Sequence, residues 1–225
     1  MFSLIKEKNY DLYQFIIGTF LFTIAASLFV FIRIWYRGSL RYAFLIWNIF
    51  LAWVPFYLSL ILTQSNLRSR ALKFITAFLW IIFYPNAPYI ITDFIHLSAY
   101  NFYKSGAHAF NANFNIWYDF FLISIFVVNG LILSYASLNL IHNYVKKHIG
   151  RVRGWICVGA VSALSGYAIY LGRFIRVNSW EIVSNPGYLV GVLLGNLDVS
   201  GIRFTALFGG MVFGLYVGFY LVGRR

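Results

Sequence analysis

Acidic residues are scarce in this chain. Asp and Glu together number six against eighteen Lys and Arg, and charged residues of both signs make up only 11% of its 225 residues. A soluble domain carries roughly 25%. There is one cysteine, Cys157, inside an apolar run, so no internal disulfide and no cysteine metal cluster is available. There are four prolines. No Walker motif, G-x-S-x-G, H-E-x-x-H or dinucleotide fingerprint occurs, and no Asn-x-Ser/Thr acceptor. These absences remove the common nucleotide-binding, serine-hydrolase and zinc-protease classes.

What the chain has instead is apolar length. Hydrophobic residues make up 61%, aromatics 21%, and mean hydropathy is +0.74. Several runs approach or exceed the ~20 residues that cross a bilayer as a helix. The reading is an all-α, polytopic membrane helix bundle of about six transmembrane helices, a single integral domain over residues 1–225, with one or two broken, re-entrant or interfacial helices. The spans fall near Leu12–Ile32, Tyr42–Leu62 (with Pro55 inside), Ala71–Tyr84, Asn115–His142, Gly154–Gly172 and Ile202–Val222. The charged start, Met1 to Asp11, lacks a cleavage site and reads as the lead-in to a retained first span.

The net charge of +12 does not indicate nucleic acid. The basic residues sit in short loops, where they set topology and meet anionic lipid headgroups. With the N-terminus inside, the inner segments hold Lys6, Lys8, Arg68, Arg70, Lys73, Lys146, Lys147, Arg151, Arg153, Arg224 and Arg225. The outer ones hold Arg33, Arg37, Arg41, Lys104, Arg173, Arg176 and Arg203. That excess places both termini on the cytoplasmic side.

One stretch breaks the apolar pattern, Phe83-Tyr84-Pro85-Asn86-Ala87-Pro88-Tyr89-Ile90-Ile91-Thr92-Asp93-Phe94-Ile95-His96-Leu97. Polar and helix-breaking residues at membrane depth are tolerated where protein or a water-filled cavity covers them. Asn86 is placed to cap a new helix over about Ala87–Tyr100, with Tyr89, Asp93, His96 and Tyr100 on one face. Asp93 and His96, at i and i+3, can turn toward one ligand, as ligands of zinc or manganese or as an acid–base pair, and Asp119 and Glu181 could complete a metal site if the fold brings them together. Two residues do not make a metal site, and the bland reading is a satisfied polar pair. Arg173 and Arg176 lie one turn apart, suited to clamp an anionic headgroup or lipid-linked phosphate. The alternatives are snorkelling to the interface or pairing with Asp93, Asp119 or Glu181 to brace the bundle. Asp119 alone reads most simply as a helix N-terminal acid after an Asn115 cap. Tyr89, Tyr100, Trp117 and Trp180 read as interface aromatics. Gly210, Gly214 and Gly218 recur every four residues and form a small-residue face for a packing partner. Gly187–Val199 is apolar but short, a re-entrant or interfacial piece.

Three segments carry a resemblance. They are Pro85-Asn86-Ala87-Pro88-Tyr89 with Thr92-Asp93 and His96-Leu97; Trp117-Tyr118-Asp119; and Gly172-Arg173-Phe174-Ile175-Arg176 with Asn178-Ser179-Trp180-Glu181 and Pro186. Together, from about Leu40 onward, they resemble the bacterial multi-pass membrane family known as domain of unknown function 1361. Val177 stands where that family often has Trp, and Glu181 where Asp is common. The resemblance maps the family's characteristic polar residues to Asn86, Tyr89, Asp93, His96, Asp119, Arg173, Arg176, Asn178 and Glu181. It implies one constellation on the outer face, and no activity or cofactor.

The resulting expectation is a bacterial cytoplasmic-membrane protein with an outward-facing polar pocket for an anionic or lipid-linked ligand, where a membrane enzyme would work. In that pocket Arg173, Arg176, Asn86, Tyr89, Asn178 and Trp180 bind, and Asp93, His96, Asp119 and Glu181 move protons. An accessory or assembly subunit whose polar residues only brace the fold competes with it, and a small-solute transporter stands behind both. Membrane lipids are the expected surroundings in every case.

Overall fold

The computed structural model describes residues 2–65, 67, 69–104, 109–177 and 184–223. Asn178, Trp180 and Glu181, three of the expected site residues, lie outside the described residues.

The apolar runs form helices: α1 (Phe2–Arg37), α2 (Phe44–Gln64), α3 (Arg70–Phe83), α4 (Asn86–Tyr89), α5 (Phe114–His148), α6 (Arg151–Tyr170), α7 (Pro186–Gly195) and α8 (Val199–Val222). A 3-10 segment, Ile90–Ala99, continues α4, and a π turn, Leu171–Ile175, continues α6. Among the described residues the one sheet is a two-residue hairpin, Tyr103–Lys104 antiparallel to Ala109–Phe110. Among the described residues, six helical stretches are long and apolar enough to cross a membrane: Asp11–Arg37, Phe44–Gln64, Arg70–Ala99, Phe114–His148, Arg151–Ile175 and Val199–Val222. The fold is therefore the all-α polytopic bundle that composition required.

α5 is the central helix. Its Ile123, Phe126 and Leu133 pack with Leu45, Ile49, Ala52 and Phe56 of α2, and its Leu138 and Ile141 join Val158 and Val161 of α6 and Val212 of α8. Burial of apolar area gives no net drive between helices in lipid, so close packing and interhelical hydrogen bonds matter more. Trp80 Nε1 donates to Ser137 Oγ at 2.9 Å, and that hydroxyl donates to the Pro55 carbonyl at 3.0 Å. Trp53 Nε1 and Asn129 Nδ2 both donate to Thr23 Oγ1, at 3.0 and 2.8 Å. His142 Nδ1 and the Tyr216 hydroxyl share a bond of 2.6 Å at the opposite end of α5.

The break after α3 differs from the sequence expectation in its chemistry. Asn86 does not cap a helix; the capping position falls at Pro85, with no side-chain bond. Pro88 has no N–H, and the Ala87 N–H turns to the Tyr84 carbonyl at 3.1 Å. The Phe83 carbonyl is then left over, and Asn86 Nδ2 donates to it at 3.0 Å. The helix expected over Ala87–Tyr100 is α only to Tyr89 and 3-10 beyond it. In a 3-10 helix residues i and i+3 eclipse, so Asp93 and His96 align along one edge. Among the other caps, Asn113, not Asn115, caps α5, accepting from the Asn115 N–H at 2.9 Å. α7, ten residues with Asn185 as its cap, is ~15 Å long, too short to cross, as its length in the sequence implied.

The glycine face of α8 takes no part in packing within the chain. A Cβ at Gly210, Gly214 or Gly218 would meet nothing within 4 Å, and all three are exposed. The close helix approach within the chain uses Gly166 and Gly209. A Cβ on Gly166 would clash with the Thr205 carbonyl and lie 2.5 Å from the Gly209 nitrogen. The expectation is that Gly166→Ala lowers unfolding stability by about 1–3 kcal/mol through overpacking, whereas Gly210→Ala stays within about 0.5 kcal/mol, both read by thermal unfolding in one detergent. Equal losses at the two positions would contradict the assigned α6–α8 contact.

Candidate functional site, an ion-paired end of the bundle

Four helix termini and the 3-10 segment meet at one end of the bundle. α1 closes with the Gly38 N–H bonded to the Ile34 carbonyl at 2.8 Å, and the positive φ of 61° at Gly38 then turns the chain back. Only glycine takes that conformation freely. The return brings Tyr42 over Arg33, with the guanidinium carbon 4.2 Å from the ring centroid.

Arg33 was expected in an outer loop. It lies inside α1, only 4% exposed, and grips Asp119, which is 1% exposed. The pair is bidentate: Nε to Oδ1 at 2.6 Å and Nη2 to Oδ2 at 3.1 Å. The Tyr100 hydroxyl donates to the same Oδ2 at 2.5 Å. Asp119 is thus not a first-turn helix acid; α5 begins at Phe114 and has no acid in its first turn. Its charge is balanced by an arginine from α1. Arg41 sits over the rings of Tyr42 and Tyr100, 5.7 and 5.3 Å from their centroids. Burial pushes the Tyr42 hydroxyl well above its ordinary value, so it stays protonated beside these cations.

The second pair joins the 3-10 segment to the π turn. Asp93, 1% exposed, accepts from Arg173 Nη2 at 2.7 Å on Oδ1 and from Asn48 Nδ2 at 2.8 Å on Oδ2. Arg173 Nε donates to Thr92 Oγ1 at 2.9 Å, and its Nη2 also contacts that oxygen. The Thr92 hydroxyl in turn donates to the Tyr89 carbonyl at 2.6 Å. The Arg173 guanidinium carbon lies 4.5 Å from the Tyr89 ring centroid. Gly172 admits that ring, because a Cβ there would sit 3.2 Å from Tyr89 Cε2.

Arg173 and Arg176 do not form a stacked pair. The helix widens to a π turn between them, and Arg176 takes a left-handed φ of 66° and is exposed. Mid-helix 3-10 and π segments mark strained or functional places, and a non-glycine residue at positive φ is sparsely populated. Here both helix irregularities face each other across one ion pair.

His96 lies beside this pair, half-buried, its ring centroid 4.5 Å from that of Phe44. Asp93, Arg173 and Arg41 are the charges that act on it. Neither of its ring nitrogens makes a hydrogen bond among the described residues, and Nη1 of Arg173 makes none either. No three His, Cys, Asp or Glu side chains come together among the described residues, so Asp93, His96 and Asp119 do not share one centre.

The structure thus gathers Tyr89, Asp93, His96 and Arg173, uses Asn86 to brace the break, gives Asp119 to a separate pair and leaves Arg176 at the surface. Sequence reasoning missed Arg33, Tyr42 and Asn48. A signal was present in two of them: Arg33 and Asn48 are single polar residues flanked by apolar ones within otherwise apolar runs, which is where buried partners are found.

Six apolar helices around a buried, twice ion-paired end mark a multi-pass helical membrane protein. A family model described as "Protein of unknown function (DUF1361)" matches residues 47–215. The chain belongs to this family; α1, with Arg33, lies outside the matched residues. No curated protein and no solved structure matches the chain.

Removing one partner of a buried pair leaves an uncompensated charge, at a cost of about 3–5 kcal/mol. Arg33→Ala is therefore expected to destabilise by that amount in denaturant-induced unfolding, and Tyr100→Phe by about 1 kcal/mol. An Arg33→Ala protein as stable as the parent would contradict the pair.

Proposed function

We propose that the ion-paired end binds an anionic group, a phosphoryl or carboxyl group of a small or lipid-linked ligand, with His96, Nη1 of Arg173 and Arg176 as its contacts. The observation that carries this reading is His96: an imidazole with neither nitrogen hydrogen-bonded among the described residues, beside a guanidinium that Asp93 and Thr92 hold in place. Charge supports it as well. Arg33, Arg37, Arg41, Arg173 and Arg176 gather at this end, against the buried Asp93 and Asp119. An arginine prefers planar oxyanions.

The roles differ from those the sequence alone gave. Asp93 has both carboxylate oxygens hydrogen-bonded, one to Arg173 and one to Asn48, so it orients the guanidinium and does not serve as a free base. Asp119 is saturated by Arg33 and Tyr100 and braces α1 against α5. His96 is the residue with proton capacity to spare, as general acid or base in an enzyme or as a donor in a binding protein. In this reading the ion-paired end faces outward from a bacterial cytoplasmic membrane and both termini face the cytoplasm, as the Lys and Arg distribution supports.

A second reading, an accessory or assembly subunit, is favoured by one observation: the exposed face of Gly210, Gly214 and Gly218 meets nothing within this chain.

The test is thermal unfolding of the detergent-purified protein with inorganic phosphate, pyrophosphate and a polyprenyl phosphate. The reading expects at least one probe to raise the midpoint by several degrees, as a ligand at ~100 times its Kd contributes about 2.7 kcal/mol. His96→Ala and Arg176→Ala should lose the shift while unfolding cooperatively. If no probe stabilises the parent and a stoichiometric partner chain co-purifies, lost in Gly214→Leu, the accessory reading replaces this one.

A further inference from the structure

Away from the His96 site, the face between α1 and α5 carries a continuous groove. Its larger part, about 520 Å³, is lined by Phe29, Trp117, Phe121 and Ile125 among others. A second hollow of about 230 Å³ opens at its end, where Arg37, Tyr36 and Asn115 line it with the Arg33–Asp119 pair. The two share Phe114 and Tyr118, so they form one groove. The Tyr118 hydroxyl donates to the Phe29 carbonyl at 2.8 Å, which fixes the wall between α1 and α5 at the junction.

The groove is graded along α1, from Phe29 in the apolar hollow to Arg33 and Arg37 in the second. From Ile125 to Phe114 it runs along eleven residue steps of α5, or ~16 Å at 1.5 Å per residue. That is half of the ~30 Å hydrocarbon core, the depth of one leaflet. At the polar end Asp119 is already neutralised by Arg33. Arg37 is exposed, with no ion-pair partner among the described residues. The end therefore carries one uncompensated positive charge, set where a headgroup would lie.

From this gradient we infer that the α1–α5 groove holds one anionic phospholipid, its acyl chain along Phe29, Phe121 and Ile125 and its phosphate at Arg37. The length of one leaflet, the apolar-to-cationic order and the single unpaired guanidinium select a lipid with a negative head over a zwitterionic one. The site is independent of the His96 reading and uses none of its contact residues.

Native mass spectrometry of the detergent-purified protein, equilibrated with phosphatidylglycerol or phosphatidylcholine of the same acyl chains, reads the occupancy. A diazirine-bearing acyl phosphatidylglycerol, photolysed and mapped by peptide analysis, reads the place. The expected result is one retained phosphatidylglycerol, at least tenfold preferred over phosphatidylcholine, with adducts on α1 and α5. Arg37→Glu should weaken retention tenfold or more, Ile125→Trp should remove the adducts by filling the groove, and Arg203→Ala, an exposed cation at the same end of α8, should change neither. Equal retention of both lipids, unchanged retention in Arg37→Glu, or adducts confined to other helices would overturn the assignment. So would a stable dimer without lipid, which would give the groove to a second copy of the chain.

Discussion

A carboxylate taken out of water costs several kcal/mol unless an opposite charge and a full set of hydrogen bonds replace its hydration. Asp93 and Asp119 meet that requirement in the same manner. Each is almost fully buried, and each receives an arginine from a distant helix plus one neutral donor, Asn48 for Asp93 and Tyr100 for Asp119. The rest of this end follows. α1 must bring Arg33 against α5, the Gly38 turn must return the chain so that Tyr42 lies over it, and the π turn must present Arg173 to the 3-10 segment.

The same constraint decides what chemistry is left. An acid held by an arginine and a second donor is a poor base, so the two carboxylates organise the site more than they act in it. His96, the unoccupied nitrogen of Arg173 and the exposed Arg176 are what remains for a ligand. The helix irregularities have a place in this account. Pro85 and Pro88 break α3, Asn86 accommodates the stranded Phe83 carbonyl, and the 3-10 geometry aligns Asp93 with His96.

The fold class was legible because apolar length leaves few alternatives: runs this long must be helices, and their number and order follow from the loops between them. The break at Pro85–Pro88 and its polar residues were legible for the same reason, since Asn86, Asp93 and His96 are conspicuous in a chain with so few polar groups. Partnership was not legible. Arg33 and Asp119 are 86 residues apart; the apolar neighbours of Arg33 set it apart from Arg37 and Arg41 but do not say which acid it meets. Asp119 likewise looked like a helix-start acid, because a start of α5 placed two residues late, at Asn115 in place of Asn113, moves a buried residue toward the first turn. The glycine periodicity of α8 pointed to the outer face, while the contact within the chain uses Gly209, one residue off that register, against Gly166.

The pairing claim is tested most directly by a double-mutant cycle on Asp93 and Arg173, with Asp93→Asn, Arg173→Met and the double variant unfolded in the same detergent. The account predicts that each single change is costly and that the double variant recovers part of the loss, a coupling of about 2 kcal/mol within the range found for contacting charged residues. Losses that add to within about 0.5 kcal/mol would show that the two side chains do not stabilise each other, and the organisation of the site described above would fall with them.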